Sequence, residues 1–291
     1  MVKFTNKFKM PDVYELAIQQ RTFSRQKTNS IGVTALIDSP YIRKLWQEHE
    51  DEITVDIADE WFKFRGSMTH QVLEGVRIPN AVKELYLQVP LTGNRGFLSG
   101  VIDLWLPYSL EDYKVKSVNS FFYHKRLDED QNEQQLNIYK WLLFHTFGVN
   151  NIKTLKIHHL FFDWVAKKAQ VDHSYPQSPH VLYPTKLWDL ETTEKFINEK
   201  LDLHADPNPP VCTKVERWTR ENVYALTKDG GKRATKIFST LEAANMACNK
   251  GYYVDTRPGA DVRCESYCNV RTWCAYWQEQ EKQFKKLTNP E

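Results

Sequence analysis

Apolar residues recur along this chain in two rhythms. From Val33 to His49, Leu36, Ile37, Ile42 and Leu45 follow helical spacing, with Ser39-Pro40 as a helix-start signal inside the stretch. A second helix is expected from Asp56 to Val76. The rhythm then changes to alternation. AVKELYLQVP (Ala81 to Pro90) predicts a strand; after the turn signal TGNRG come FLSGVIDLWL and, past Pro107-Tyr108-Ser109, LEDYKVKSV, which predict two more in a meander. The acidic run Asp128-Glu129-Asp130 precedes QNEQQLNIYKWLLFHTF and Gly148, acid in the first turn and glycine at the end of a helix. LKIHHLFFDWV follows as a buried strand. Helix, three strands, helix, strand is the order of an α/β fold with a mixed central sheet flanked by helices.

The boundaries come from composition. Residues 1–29 are polar, and order is expected to begin near Ser30. The run Asp206 to Pro210 (DPNPP) separates a core over residues 30–210 from a small C-terminal α+β module over residues 211–291, which reads as hairpin, helix, strand. With 41% hydrophobic residues the chain can bury a large core. It has no stretch of about 18 apolar residues and no apolar run of a secretory leader, so a cytoplasmic protein without a membrane span is expected. Basic and acidic residues nearly cancel, 39 against 37, so nucleic-acid contact would come from a local patch.

The candidate chemistry sits on the meander. Asp103 lies in one predicted strand and Asp112 in the next, so a short hairpin brings two carboxylates together. Such a pair needs a cation, and hard oxygen ligands favour Mg2+ or Mn2+. Lys114 shares a strand face with Asp112, where an ammonium can orient water or stabilise a developing oxyanion. D-x-K alone is common on solvated strands. On the second helix Gly66, His70 and Glu74 stand at four-residue intervals, and on the later helix Gln135 and Tyr139 share a face. A half-buried histidine paired with Glu74 is the plainer alternative for the first set.

In this order, GSMTHQVLE, GVIDLW, DYK and QLNIY resemble the motifs of the RecB-like exonuclease branch of PD-(D/E)xK nucleases. That resemblance implies a restriction-endonuclease-like core. It implies His70, Asp103 and Asp112 as metal ligands with the carbonyl of Tyr113 beside them, Lys114 as the residue that positions the water, and Gln135 and Tyr139 as its supports. The reaction implied is phosphodiester hydrolysis leaving a 5′-phosphate, by an exonuclease of DNA repair or recombination. Implied partners are DNA that is single-stranded or has free ends, and a helicase or recombination protein as a separate chain; the small size also fits a phage-encoded enzyme. A catalytically silent DNA-binding or adaptor subunit on the same fold is the rival reading.

All five cysteines follow residue 210. Cys264, Cys268 and Cys274 are dense enough to predict a soft-metal site in a reducing compartment, with three buried or merely reduced thiols as the alternative. Many nucleases of that branch hold an iron–sulfur cluster on one early and three late cysteines. Here Ser39, before Pro40, stands where the early one is expected, and Cys212 is the substitute as fourth ligand. Four thiolates in one module also suit zinc. Cys248, in an alanine-rich helical pattern, is expected to be a small packed residue. For DNA, Lys116, Lys125 and Arg126 flank Phe121, Phe122 and Tyr123, cations interleaved with aromatics that could grip phosphates and stack bases, or simply core residues at a junction. Lys228, Lys232, Arg233 and Lys236 form a second basic patch on the predicted hairpin, where a solvated turn is the alternative.

Overall fold

The computed structural model of the chain describes residues 2–23 and 29–288, without the side chains of residues 21–23, 121–129 and 284–288. Two compact units meet at Pro210 and Val211, at the end of the DPNPP run. The first begins well before Ser30. Strand β1 (Lys3–Thr5) and helix α1 (Asp12–Phe23) are ordered, which corrects the expectation of an unstructured polar opening. Asp56 is the reason: its carboxylate accepts from Thr5 Oγ1 at 2.7 Å, from the Lys7 amide at 3.0 Å and from the Ala58 amide at 3.1 Å. Ile18 of α1 is fully buried. A single polar residue thus ties the opening to the body of the unit and caps a 3-10 turn, where sequence periodicity expected a helix to start.

Then follow β2 (Ser30–Gly32), α2 (Val33–Ile37) and α3 (Pro40–Glu48). The expected helix from Val33 is two, because Ser39 caps α3 and Pro40 fits its first turn, where no amide partner is needed. After β3 (Thr54–Asp56), parallel to β1, comes α4 (Trp61–Glu74). The meander is β4 (Val82–Pro90), β5 (Phe97–Leu106) and β6 (Ser109–Lys116). Helix α5 (Val118–Phe147) is 30 residues long and begins before the acidic run, which therefore lies in its interior. Ser117 caps it and the Asp163 carboxylate accepts the Val118 amide at 3.0 Å, negative charge at the positive end of the helix that local sequence did not announce. Gly148 ends it at φ 69°, as expected. β7 (Thr154–Phe161), α6 (Ala166–Val171), β8 (His180–Thr185) and α7 (Leu190–Ala205) complete the unit.

Six strands form one mixed sheet in the order β2, β5, β6, β7, β8, with β4 on the other edge of β5. α5 spans the sheet, and its Leu136, Ile138, Leu142 and Leu143 pack with Leu98, Ile102, Leu110, Leu155 and Ile157 of the strands and Ile197 of α7. The expected α/β architecture, a mixed sheet flanked by helices, is what the unit has.

The second unit contains a three-stranded antiparallel sheet of β10 (Val223–Lys228), β11 (Ala234–Phe238) and β12 (Tyr252–Arg257), with α8 (Leu241–Ala247) packed on it. A short ladder joins β9 (Thr219–Arg220) to β13 (Ala260–Asp261), and α9 (Val262–Ser266) and α10 (Ala275–Thr288) follow. No helix among the described residues is long and apolar enough to cross a membrane.

Candidate metal centre and cysteine cluster

The sheet forks at the predicted carboxylates. On one edge β5 pairs with β4; on the other it pairs with β2 at Phe97 to Ser99 and with β6 only from Leu104 onward. Beyond the Leu104–Glu111 pair the two strands part, and the Asp103 carboxylate accepts the Tyr113 amide at 2.9 Å in place of a ladder partner. Asp103 is thereby held in the mouth of the fork, and Asp112 next to Tyr113 faces it from β6. Both are buried, Asp103 at 7% exposure and Asp112 at 1%.

Alternation along β6 turns Asp112 and Lys114 toward α5. The Lys114 ammonium lies 2.8 Å from Asp112 Oδ2, an ion pair off the hydrogen-bond direction, and donates to Gln135 Oε1 at 2.9 Å. Gln135 donates in turn to Asp112 Oδ1 and to Tyr139 Oη, each at 2.9 Å. All three polar groups of this buried amide are engaged, so it fixes the acid, the base and the phenol relative to one another. Burial, with Asp112 and Asp103 nearby, pushes the Tyr139 phenol up, so it stays protonated. Gly100 makes room: a methyl group there would sit 2.6 Å from Tyr139 Cε1. The glycine of GVIDLW is therefore a packing requirement of the site, whereas a Cβ at Gly66 would meet nothing within 4 Å.

His70 reaches the fork from α4. Its Nε2 lies 3.1 Å from the Tyr113 carbonyl, which can only accept, so Nε2 carries the proton and Nδ1 faces the carboxylates. Nδ1 is 3.3 Å from Glu84 Oε1 and 3.5 Å from Asp103 Oδ1. The Tyr113 carbonyl, expected as a metal ligand, accepts from His70 with one of its two lone pairs. Glu84 takes the place beside it, and ligand atoms of His70, Glu84 and Asp103 all lie within 4.8 Å of one another. Nothing in the sequence reading pointed to Glu84. It sits in β4 at φ 47°, where the β4–β5 ladder skips the Glu84–Asp103 pair, and that left-handed backbone re-aims its side chain. The available signal was the adjacent Lys83-Glu84, which breaks the alternation of the strand. Lys83 donates to the carbonyls of Leu73 and Val76, fastening the end of α4 to β4 and so setting the height of His70.

Three carboxylates face one ammonium and one imidazole, and the electrostatics record the shortage of positive charge. Burial, and then repulsion from Asp112, push Asp103 up to about 8. The hydrogen bond to Glu84, chiefly, raises His70. The donor set is oxygen-rich with one imidazole, partly open and short of a cation, which fits Mg2+ or Mn2+.

On the other face of β6, Glu111 accepts from Ser109 Oγ at 2.8 Å, pairs with Lys156 at 3.1 Å and meets His158 Nε2 at 2.8 Å, while His158 Nδ1 is 3.0 Å from His180 Nε2. The His158 contact foremost holds Glu111 down at about 2. This lock joins β6, β7 and β8, and the Tyr113 ring packs 5.1 Å from His158.

Among the remaining candidates, Glu74 is exposed. Lys116 ends β6, half-buried. Phe122, Tyr123, Lys125 and Arg126 lie outside the residues whose side chains are described. Lys228, Lys232, Arg233 and Lys236 are exposed on the β10–β11 hairpin.

In the second unit Cys212, Cys264 and Cys274 are buried and Cys268 is half-buried. Burial first, then repulsion from Cys268, Asp261, Cys212 and Cys274, push the Cys264 thiol up to about 12, although no three of these sulfurs lie within 4.8 Å of one another. Asp261 organises it. Its carboxylate accepts from Tyr276 Oη of α10 at 2.6 Å and pairs with Arg217 at 3.2 Å, and Arg217 also donates to the Cys212 carbonyl. Cys248 stands apart, donating to the Tyr252 carbonyl at 3.3 Å.

No family model matches the chain, and no curated protein does. Among solved structures, one described as "Crystal structure of SSO0001" shares 16% sequence identity at a TM-score of 0.44, covering 67% of this chain and 86% of that one.

Proposed function

We propose that the first unit is a Mg2+- or Mn2+-dependent DNA nuclease with a restriction-endonuclease-like core, hydrolysing phosphodiester bonds in DNA processing, recombination or repair. The observation that carries this reading is the buried network Asp103, Asp112, Lys114, Gln135, Tyr139 at the fork of β5 and β6, with the His70 imidazole turned onto it. These are the residues of the four motifs, drawn from separate elements into one charge-deficient centre. His70, Glu84, Asp103 and Asp112 are the groups to hold the cation. When bound, it lowers the pKa of water and neutralises charge on the phosphate.

The chain's own residues do the rest. Lys114, steadied by Gln135, presents an ammonium next to Asp112 that orients the attacking water and stabilises the extra negative charge of the phosphorane-like transition state. Gln135 and Tyr139 keep the ammonium from collapsing onto both carboxylates. Burial of Asp103 and Asp112 strengthens each of these interactions over its value in water. Exonucleolytic action on DNA with single-stranded or free ends is part of the proposal, with a helicase or recombination protein as a separate partner chain. In the second unit, the Cys212, Cys264, Cys268 and Cys274 group is proposed to hold an iron–sulfur cluster, or zinc in its place.

The direct test is incubation of the purified protein with end-labelled single-stranded DNA and Mn2+, against the same mixture in EDTA. Release of label that needs the metal is expected; equal, negligible release in both would sink the hydrolytic reading.

A pH dependence follows from Asp103. A dication binds the ionised carboxylate, so below about pH 8 it must displace a proton. Mn2+ affinity measured calorimetrically should strengthen by up to about tenfold for each pH unit from 6 to 8, then level off. The metal-free protein shows the opposite trend. A carboxyl whose folded pKa is raised stabilises the fold at low pH and loses that contribution as pH climbs toward 8, so its melting temperature should fall over this window. A pH-independent Mn2+ affinity would contradict both statements.

A further inference from the structure

The N-terminal half of α4 carries an arrangement that the metal centre does not use. The Arg65 guanidinium lies 4.7 Å from the centroid of the Phe62 ring and 5.7 Å from that of Phe162, just past β7. Both rings are open to solvent, Phe62 at 47% and Phe162 at 60% exposure. Arg65 Nε is buried without a hydrogen-bond partner, and no carboxylate pairs with Arg65 among the described residues. Two exposed aromatic rings and a guanidinium with no carboxylate partner among the described residues are held together by cation–π contact.

Their position gives them a use. Phe162 follows Phe161, which pairs with Lys116 two residues beyond Lys114, so the group stands about 7 Å further along β6 than the catalytic lysine. Arg65 precedes His70 by five residues, about 7.5 Å along α4. Both are axial offsets of about two nucleotide steps, at a rise of ~3.4 Å per nucleotide, from residues of the candidate metal centre. Gly66 leaves the intervening helix surface open.

We infer that Phe62, Arg65 and Phe162 form a stacking clamp for an unpaired nucleotide of the strand being cut. An unpaired base lies on the exposed Phe162 ring and the Arg65 guanidinium takes a neighbouring phosphate. Only an unpaired base offers a free π-face, so the clamp selects single-stranded over duplex DNA. The cation–π contacts hold the clamp in its binding geometry beforehand, which lowers the entropy lost on binding. The inference rests on the nuclease reading for its ligand class, but its test is independent of turnover.

The full chain is titrated into labelled oligo(dT) twenty nucleotides long, with Ca2+ in place of Mn2+, and anisotropy gives Kd. Phe162→Ala is expected to weaken binding about tenfold, within the range of base–aromatic stacking. Phe162→Trp should stay within about twofold of wild type, and Arg65→Gln should weaken binding and flatten its salt dependence. A blunt duplex should respond to Phe162→Ala by less than about twofold. Unchanged oligo(dT) binding in Phe162→Ala, equal weakening on duplex, or failure of Phe162→Trp to restore affinity would overturn the clamp. If Phe162→Ala instead abolished self-association and left oligo(dT) binding alone, the face would belong to a second copy of the chain and the clamp would again fall. Metal-dependent hydrolysis by a wild type whose binding ignores these substitutions removes the clamp and keeps the nuclease; ring-dependent binding without hydrolysis does the reverse.

Discussion

Asp112→Asn is expected to lower metal-dependent DNA hydrolysis by about a thousandfold or more, about 4 kcal/mol of transition-state stabilisation, while the metal-free protein melts at the same temperature or higher. The two effects part because Asp112 serves the reaction and works against the fold. Its carboxylate is 1% exposed and lies close enough to Asp103 to be the largest charge acting against it. An amide of the same shape removes that repulsion, keeps one oxygen to accept from Gln135, and lets Asp103 ionise at lower pH. The proposed cation site loses a full negative charge, and Lys114 loses its ion pair with Asp112. Lys114→Gln should lower turnover comparably with a smaller change in Mn2+ affinity, because the ammonium orients water and transition state without holding the ion. Rates on labelled oligonucleotide with melting curves in EDTA check both. Retention of activity within about tenfold in Asp112→Asn, or a loss of activity matched by a loss of folding, would speak against the assignment.

Which parts of the molecule can be read from sequence depends on how local their determinants are. β5 and β6 were legible because alternation, turn residues and the burial of one face agree, and Asp103, Asp112 and Lys114 came with them. Gln135 and Tyr139 were legible because a helix places residues four apart on one face. Glu84 was not, since its role depends on a single residue adopting φ 47°, and no periodicity encodes one strained position in a strand. The ordered N-terminus and the early start of α5 were missed for a related reason. Both depend on a carboxylate distant in sequence, Asp56 for β1 and Asp163 for the first turn of α5, and local patterns carry no record of such partners. The Tyr113 carbonyl also accepts from His70 and so sets which nitrogen of that ring faces the centre, a contact that no local pattern encodes.

Cys264→Ser is expected to remove the bound iron or zinc and to abolish the separate thermal transition of the second unit, leaving that of the first in place. The buried apolar residues of the second unit, among those described, are Ala225, Leu226, Ala244 and Val270, together with Cys212, Cys264 and Cys274. So small a core does not offset the conformational entropy of the unit without a further staple. Thiols alone are not one. Metal-free, Cys264 is held protonated up to about 12, and three further thiols add only small apolar volume around it. A bound cation or cluster would ionise the thiols, and Cys212, Cys264, Cys268 and Cys274 as its ligands would link the Cys212 segment, α9 and the residues before α10. Structural zinc contributes roughly 10–16 kcal/mol in small domains, far more than four buried aliphatic groups supply. Cys248→Ser is the matched control, because its sulfur only donates to the Tyr252 carbonyl, which a hydroxyl can also do. Calorimetry with iron and zinc analysis of anaerobically purified protein reads the outcome. Metal-free protein in which Cys264→Ser leaves the second transition unmoved would mean that these cysteines are packing residues and that the unit is stabilised by the Asp261, Arg217 and Tyr276 network instead.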